Sequence, residues 1–332
     1  MPRVSAGLAT LVLTLAAACS SNDGSDAVVI DDPSTTSPAT VADRGSPGVF
    51  SENDPIEVAV DDAVTSSTTA TQTTTAAPTS STVTTTVTTT VAPTTVVAAN
   101  PDGSFDLTAE LLFLGTSVEG RGIVAERYGS IGGRRVLVIG VIHGNEDAGV
   151  QIVDELRSRA VAGQGPDGVE MWLVETMNPD GQAVQDRHNA NEVDLNRNFP
   201  LRWGPIGQPG DGQYAGTGPA SEPETQAMVS FISQLRPDIA VWYHQDANLI
   251  IPSSGRDGRI RAKYAELTGL PIADCCDGGI YTGIAATWAR DELSDLGSVA
   301  FIVELPGGEL DATQVTTHAD AISIIAATAG VI

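Results

Sequence analysis

His143-Gly-Asn-Glu146 places an imidazole and a carboxylate three residues apart, which is half of what a metal ion needs from a protein. His244 and Glu304 each close an apolar run further along, and Arg187, Asn196 and Arg197 fall in one polar stretch before them. Two histidines and one glutamate leave the fourth corner of a tetrahedral zinc ion open, the composition of a catalytic rather than a closed structural site. Zinc lowers the pKa of a bound water to about 7 and polarises a carbonyl. Glu304 is the expected proton acceptor, because a carboxylate at the end of a buried strand is costly without a partner. Arg187 is expected to steady an oxyanion, and Arg197 with Asn196 to grip a substrate carboxylate through the planar guanidinium fork. Each residue also has a plainer reading. His143 can hydrogen-bond within a loop, Glu146 can favour a helix N-terminus, Glu304 can pair with an arginine, and the arginines can clamp their own loop.

The elements that must carry these residues read as an α/β scaffold. Arg135–Ile142 is a β-branched run of the kind that forms a buried strand, and from Asp147 to Arg157 apolar residues recur at Val150, Ile152, Val153 and Leu156 with a helical period. The His143–Glu146 motif therefore sits where a strand hands over to a helix. A second run, Val169–Glu175, leads to the turn Asn178-Pro-Asp-Gly181, and then to the dense polar loop Arg187-His-Asn-Ala-Asn-Glu-Val-Asp-Leu-Asn-Arg-Asn-Phe-Pro200. Ser221 reads as a helix N-cap, with Pro223 in the first turn and Glu224 three residues on. Ile239–His244 and Ser298–Glu304 are two further runs that end in the histidine and the glutamate, and Asp311–Ala329 reads as a terminal helix. In open α/β sheets ligands gather beyond the carboxyl ends of strands. His188 and His318 are assigned structural places.

The ordered set resembles the zinc metallocarboxypeptidase family, which includes the pancreatic carboxypeptidases and bacterial murein peptide amidases, over about Phe105 to Ile332. The resemblance implies a three-layer α/β/α domain with a mixed, largely parallel twisted sheet, the carboxypeptidase-like phosphorylase/hydrolase fold. It implies one Zn2+ held by His143, Glu146 and His244, with Glu304 as general base and Arg187 polarising the carbonyl. Asn196 and Arg197 would anchor the substrate carboxylate, and Tyr281 falls where the family carries a mobile capping tyrosine. Gln245 stands where digestive members commonly have serine, and the pocket side chain could be any of Ala285, Ala286, Thr287, Ala289 or Asp291. Leu305-Pro-Gly-Gly308 and Ser221-Glu-Pro-Glu-Thr225 are similar to the amidase branch, which implies a peptide or muropeptide substrate. A general C-terminal carboxypeptidase, a small-acyl amino-acid deacylase and a non-catalytic binding lipoprotein are the alternatives.

The N-terminal portion speaks of address. Met1-Pro-Arg precedes an apolar segment from Val4 to Ala18 that is too short to span a bilayer and suits a signal peptide. It ends Leu15-Ala-Ala-Ala-Cys19, similar to a lipoprotein signal whose cysteine is lipidated after cleavage, with Ala16 a mild departure. The expectation is therefore an exported protein, lipid-anchored to the membrane through Cys19 on its extracytoplasmic face. Residues 19–103 read as a disordered stalk rich in Thr, Ser, Val, Ala and Pro, which cannot bury enough apolar surface to offset chain ordering. Glycosylation of its hydroxyls would stiffen it further. Residues 104–332 are long enough for one catalytic domain with a substantial core.

The chain carries a net charge of −25 with Lys263 its single lysine, which disfavours nucleic acid as a partner and suits a soluble exported surface. Cys275 and Cys276 are adjacent, too close for ordinary disulfide geometry, so no disulfide framework is expected. A monomer is expected.

Overall fold

The computed structural model describes residues 95–274 and 281–332. The expected signal peptide, Cys19, nearly all of the stalk and the Cys275–Cys276 pair lie outside the described residues.

Among the described residues seven strands form one sheet: β1 (Val96–Ala98), β2 (Leu111–Thr116), β3 (Gly122–Gly129), β4 (Arg134–Val141), β5 (Val169–Thr176), β6 (Ile239–Leu249) and β7 (Val299–Pro306). Their spatial order is β1-β2-β3-β5-β4-β6-β7. Only β3 runs against the rest, being antiparallel to both β2 and β5, while the pairs β5–β4, β4–β6 and β6–β7 are parallel. Among the described residues six α-helices accompany the sheet: α1 (Gly149–Val161), α2 (Pro179–Val184), α3 (Pro223–Leu235), α4 (Gly255–Thr268), α5 (Ala285–Glu292) and α6 (Ala312–Thr328). Among the described residues no helix is long and apolar enough to cross a membrane.

The central strands are apolar without alternation because both of their faces are covered. In β4, Val136 and Val138 face one core with Ile152, Val153 and Leu156 of α1, Ile260 and Tyr264 of α4, and Ile322 and Ile325 of α6. Leu137 and Ile139 face the other core, with Met228, Phe231 and Leu235 of α3 and Ala285, Trp288 and Ala289 of α5. Successive side chains point to opposite faces, so one run of sequence feeds two cores and fixes three layers. This is the expected α/β/α architecture, with the mixed sheet largely parallel.

Local boundaries differ from the sequence expectation: β6 continues past His244 to Leu249, and two further departures stand at β1 and α3. Val96–Ala98, assigned to the stalk by composition, is a parallel edge strand on β2. A three-residue strand carries too little pattern to stand out from a Val/Thr/Ala-rich stretch. Ser221 is not the cap of α3: Glu222 holds that position with extended backbone, and Ser221 Oγ instead donates to Glu222 Oε1 at 2.7 Å. Pro223 does open the helix, where its missing N–H is no loss.

Candidate metal and substrate site

β4 ends at Val141, and the chain turns at once through His143–Glu146, closed by Glu146 N donating to His143 O at 3.0 Å. This turn is seated on the loop after β5. Asn178 caps α2 by accepting from Gly181 N at 3.0 Å, and its side-chain amide donates to Ile142 O at 3.1 Å. Gly144 lies so close to that loop that an added Cβ would come within 2.0 Å of Gly181 C. A side chain at 144 would thus drive the two loops apart. The Asn178-Pro-Asp-Gly181 turn, conspicuous in the sequence, is the support of the His143–Glu146 loop.

His244 comes from β6, next to β4, and pairs in register with Glu304 on β7. Three adjacent parallel strands therefore deliver His143, Glu146, His244 and Glu304 at their carboxyl ends. One ligand atom from each of His143, Glu146 and His244 lies within 4.8 Å of the others. Glu146 reaches both rings, with Oε1 2.9 Å from His143 Nδ1 and Oε2 3.0 Å from His244 Nδ1. Donors bonded to one zinc at about 2.0–2.2 Å stand about 3.3 Å apart, so this cluster fits the ion with slight opening. The close approach of His143 Nδ1 to Glu146 lacks hydrogen-bond alignment, leaving that buried nitrogen without a partner. An orphaned ring nitrogen facing a carboxylate is what a metal would satisfy.

Asp194 was not singled out by sequence, yet it organises the site. It has no exposed side-chain surface. Its Oδ1 is 3.0 Å from His143 Nε2 and accepts from Asn196 N at 2.9 Å, while Oδ2 accepts from Arg187 Nη2 at 2.8 Å and Nε at 3.1 Å. A carboxylate behind a ligating histidine fixes the ring and raises its basicity. Burial alone would raise the Asp194 carboxyl, but the His143 and Arg187 charges outweigh it and hold it far below the usual carboxylate range. Glu146 is likewise held low against its burial by the two rings. The only sequence signal for Asp194 was its place in the polar loop, two residues before Asn196.

The remaining expected residues line the same cavity, about 680 Å³ in volume. Arg187 Nη1 donates to Glu146 Oε1 at 2.9 Å, so this arginine bridges Glu146 and Asp194. Asn196 spends its carbonyl on Ala285 N at 3.0 Å, which ties the start of α5 to the site and leaves the amide NH2 as donor. Arg197 is buried, 4.0 Å from Asp194 Oδ2, with its Nε unpartnered and its guanidinium 5.1 Å from the Tyr281 ring centroid. Burial disfavours that charge, which makes it a ready receptor for an anion. Among the described residues, no hydrogen bond or ion pair engages the Glu304 carboxylate, so the ion-pair alternative is not realised. Of the pocket candidates, Ala286 and Thr287 line the cavity, whereas Ala285 and Ala289 are packed in the core. Asp291 is exposed and outside the lining. His188 rests against Asp186, and His318 is buried against Tyr264, both away from the cluster.

An α/β sheet that brings two histidines and two glutamates to its strand ends, beside a buried arginine from a polar loop, is the frame of a metallohydrolase. A family profile described as Zinc carboxypeptidase matches residues 95–266, and the chain belongs to that zinc-dependent family of hydrolases. Murein peptide amidase A of Escherichia coli K12 is 34% identical over 119 residues, covering 32% of this chain and 48% of that protein. Carboxypeptidase SOL1 of Arabidopsis thaliana is 26% identical over 136 residues, covering 38% of this chain and 26% of that protein. The chain thus spans between about a quarter and a half of the length of these curated relatives. The crystal structure of a murein-tripeptide amidase from Escherichia coli O157 superposes with a TM-score of 0.51 at 24% identity, covering 65% of this chain and 91% of that one. That likeness bears on the fold.

Proposed function

We propose that this protein is a zinc-dependent hydrolase of an amide bond next to a free carboxylate, acting on peptides of the cell wall from an extracytoplasmic, membrane-tethered position. The observation that carries the chemistry is the convergence of His143, Glu146 and His244 on one point, in one cavity with Glu304 and the buried Arg197. His143, Glu146 and His244 would hold the ion. Zinc, when bound, supplies Lewis acidity and an activated water at neutral pH.

The chain's own groups do the rest. Arg197 and the Asn196 amide NH2 bind the substrate's terminal carboxylate, which fixes the scissile amide relative to Glu304. Glu304 accepts the proton of the attacking water and returns it to the leaving nitrogen. Arg187 donates to the oxygen that gains charge, held for that task by Asp194 and Glu146. The wall assignment draws on the amidase-like segments and the similarity to murein peptide amidase A. Export and the anchor at Cys19 draw on the N-terminal sequence. At about 3 Å per residue in an extended form, the Thr-rich stretch from Val64 to Val97 alone would reach on the order of 100 Å from a membrane.

Incubating the purified protein with muropeptides and with ordinary peptides, then weighing the products by mass spectrometry, tests this. Cleavage of an amide beside a free carboxylate in the muropeptides is expected. Trimming of ordinary peptides alone would remove the wall assignment, and cleavage of neither would remove the hydrolase reading.

A further inference from the structure

The cavity continues past the metal cluster to an inner end built from residues outside the chemistry just described. Arg261 of α4 and Arg290 of α5 both line it. The two guanidiniums converge on one backbone oxygen, Ala300 O of β7, with Arg261 Nη2 at 3.3 Å and Arg290 Nη1 at 3.0 Å. One carboxylate serves both: Asp257 Oδ2 is 2.7 Å from Arg261 Nη2 and 3.6 Å from Arg290 Nη1. Asp257 stands behind the arginines and does not line the cavity. Two positive charges against one negative leave a net positive charge at this end.

Donors also remain unspent there. Arg261 is 6% exposed, and its buried Nε has no hydrogen-bond partner. Arg290 commits only Nη1 to the protein and is partly exposed to the cavity. The cavity's carboxylates lie elsewhere: Glu146 stands between the two histidine rings, Glu304 is in register with His244, and Asp246 pairs with Pro306, beyond Glu304 in the direction away from Ala300. Ala300 is four residues before Glu304 on β7, about 13 Å along a strand. Phe301 and Ile302 lie between these points on the strand, and Ala286 and Ile251 add to the apolar lining of the cavity. A pocket with an apolar sleeve and a cationic floor fits a side chain of several carbons ending in an anion.

We propose that Arg290 and Arg261 make this inner end a carboxylate-recognising pocket, selecting peptides whose terminal residue carries an acidic side chain. The inference rests on the peptide-hydrolase reading of the site, and it names the substrate class. Arg290 is the specificity-determining group that reaches the ligand, and Arg261, held by Asp257 and Ile251 O, adds the second positive charge.

The test uses the full protein carrying Glu304→Gln and loaded with zinc, so that binding is read without turnover. Isothermal titration would compare N-acyl dipeptides ending in leucine, lysine, aspartate, glutamate, 2-aminoadipate and 2-aminopimelate. The best acidic end should bind about tenfold or more tightly than leucine. Adding Arg290→Met should erase most of that advantage while leaving the leucine peptide within about twofold, and Arg290→Lys should restore part of it. Leucine or lysine binding as tightly as the best acid, no binding at all, or a preference unmoved by Arg290→Met would overturn the pocket. Wild-type turnover on the same panel separates the two readings. Selective binding without cleavage would overturn the hydrolase and leave the pocket standing, whereas equal cleavage of every end would overturn the pocket alone.

Discussion

Replacing Asp194 by asparagine keeps the shape of the side chain and removes its charge, at a point where four N–H groups converge. Oδ1 faces His143 Nε2 and Asn196 N, and Oδ2 faces Arg187 Nε and Nη2. An amide has one acceptor oxygen, so whichever way it turns, its NH2 confronts two donors. Turned one way it abandons Arg187, and turned the other it loses the partner of His143 Nε2. Breaking a buried ion pair costs about 3–5 kcal/mol, and Arg187 is partly exposed, so about 2–3 kcal/mol is expected here. Loss of a carboxylate behind a ligating histidine lowers metal affinity by about 10–100-fold. Urea unfolding of the metal-free protein reads the first effect, and competition for zinc against a chromophoric chelator reads the second. An Asp194→Asn protein with the wild-type urea midpoint and zinc affinity within about twofold would refute the assignment of Asp194 as the group that orients His143 and Arg187.

Three further outcomes are expected. Glu304→Gln should retain zinc by metal analysis while losing about 10²–10⁴ in turnover; undiminished turnover would mean another group moves the proton. Gly144→Ala should cost about 1–3 kcal/mol in chemical denaturation and also weaken zinc binding, because the added Cβ meets the backbone of Gly181 rather than a side chain that can swing away. His318, packed against Tyr264 with its Nδ1 2.7 Å from the hydroxyl, has its pKa pushed down by burial to about 4. A depressed histidine favours the fold fully above the unfolded value of about 6.5 and loses that contribution as pH falls toward 4, so stability should drop by about 2 kcal/mol between pH 7 and pH 5 from this residue. Comparing wild type with His318→Asn by urea midpoints at both pH values isolates it, and parallel pH dependence of the two would contradict the depressed pKa.

The sequence alone marked the four strands that carry the site and the residues that follow or close them. Largely apolar runs at 135–142, 169–175, 239–244 and 298–304 are best satisfied with both faces covered, and each handed its next polar residue to the same edge. That is why His143, Glu146, His244 and Glu304 were legible as a set: their positions follow from backbone periodicity, which is local. Asp194 and the Arg261–Arg290 pair were not legible in this way. Asp194 sat among amides in a loop without periodicity, and the four-residue spacing of Asp257 and Arg261 is that of any i, i+4 pair on a helix. Their roles come from packing between distant segments. Asp194 lies beneath His143 because the polar loop folds back under the end of β4, and the arginines share Ala300 O because α4 and α5 approach β7 from opposite faces of the sheet. Which side chains are buried together, and hence which charges must neutralise one another and which are left for a ligand, depends on contacts between residues far apart in the chain, and these exist only once the layers have closed.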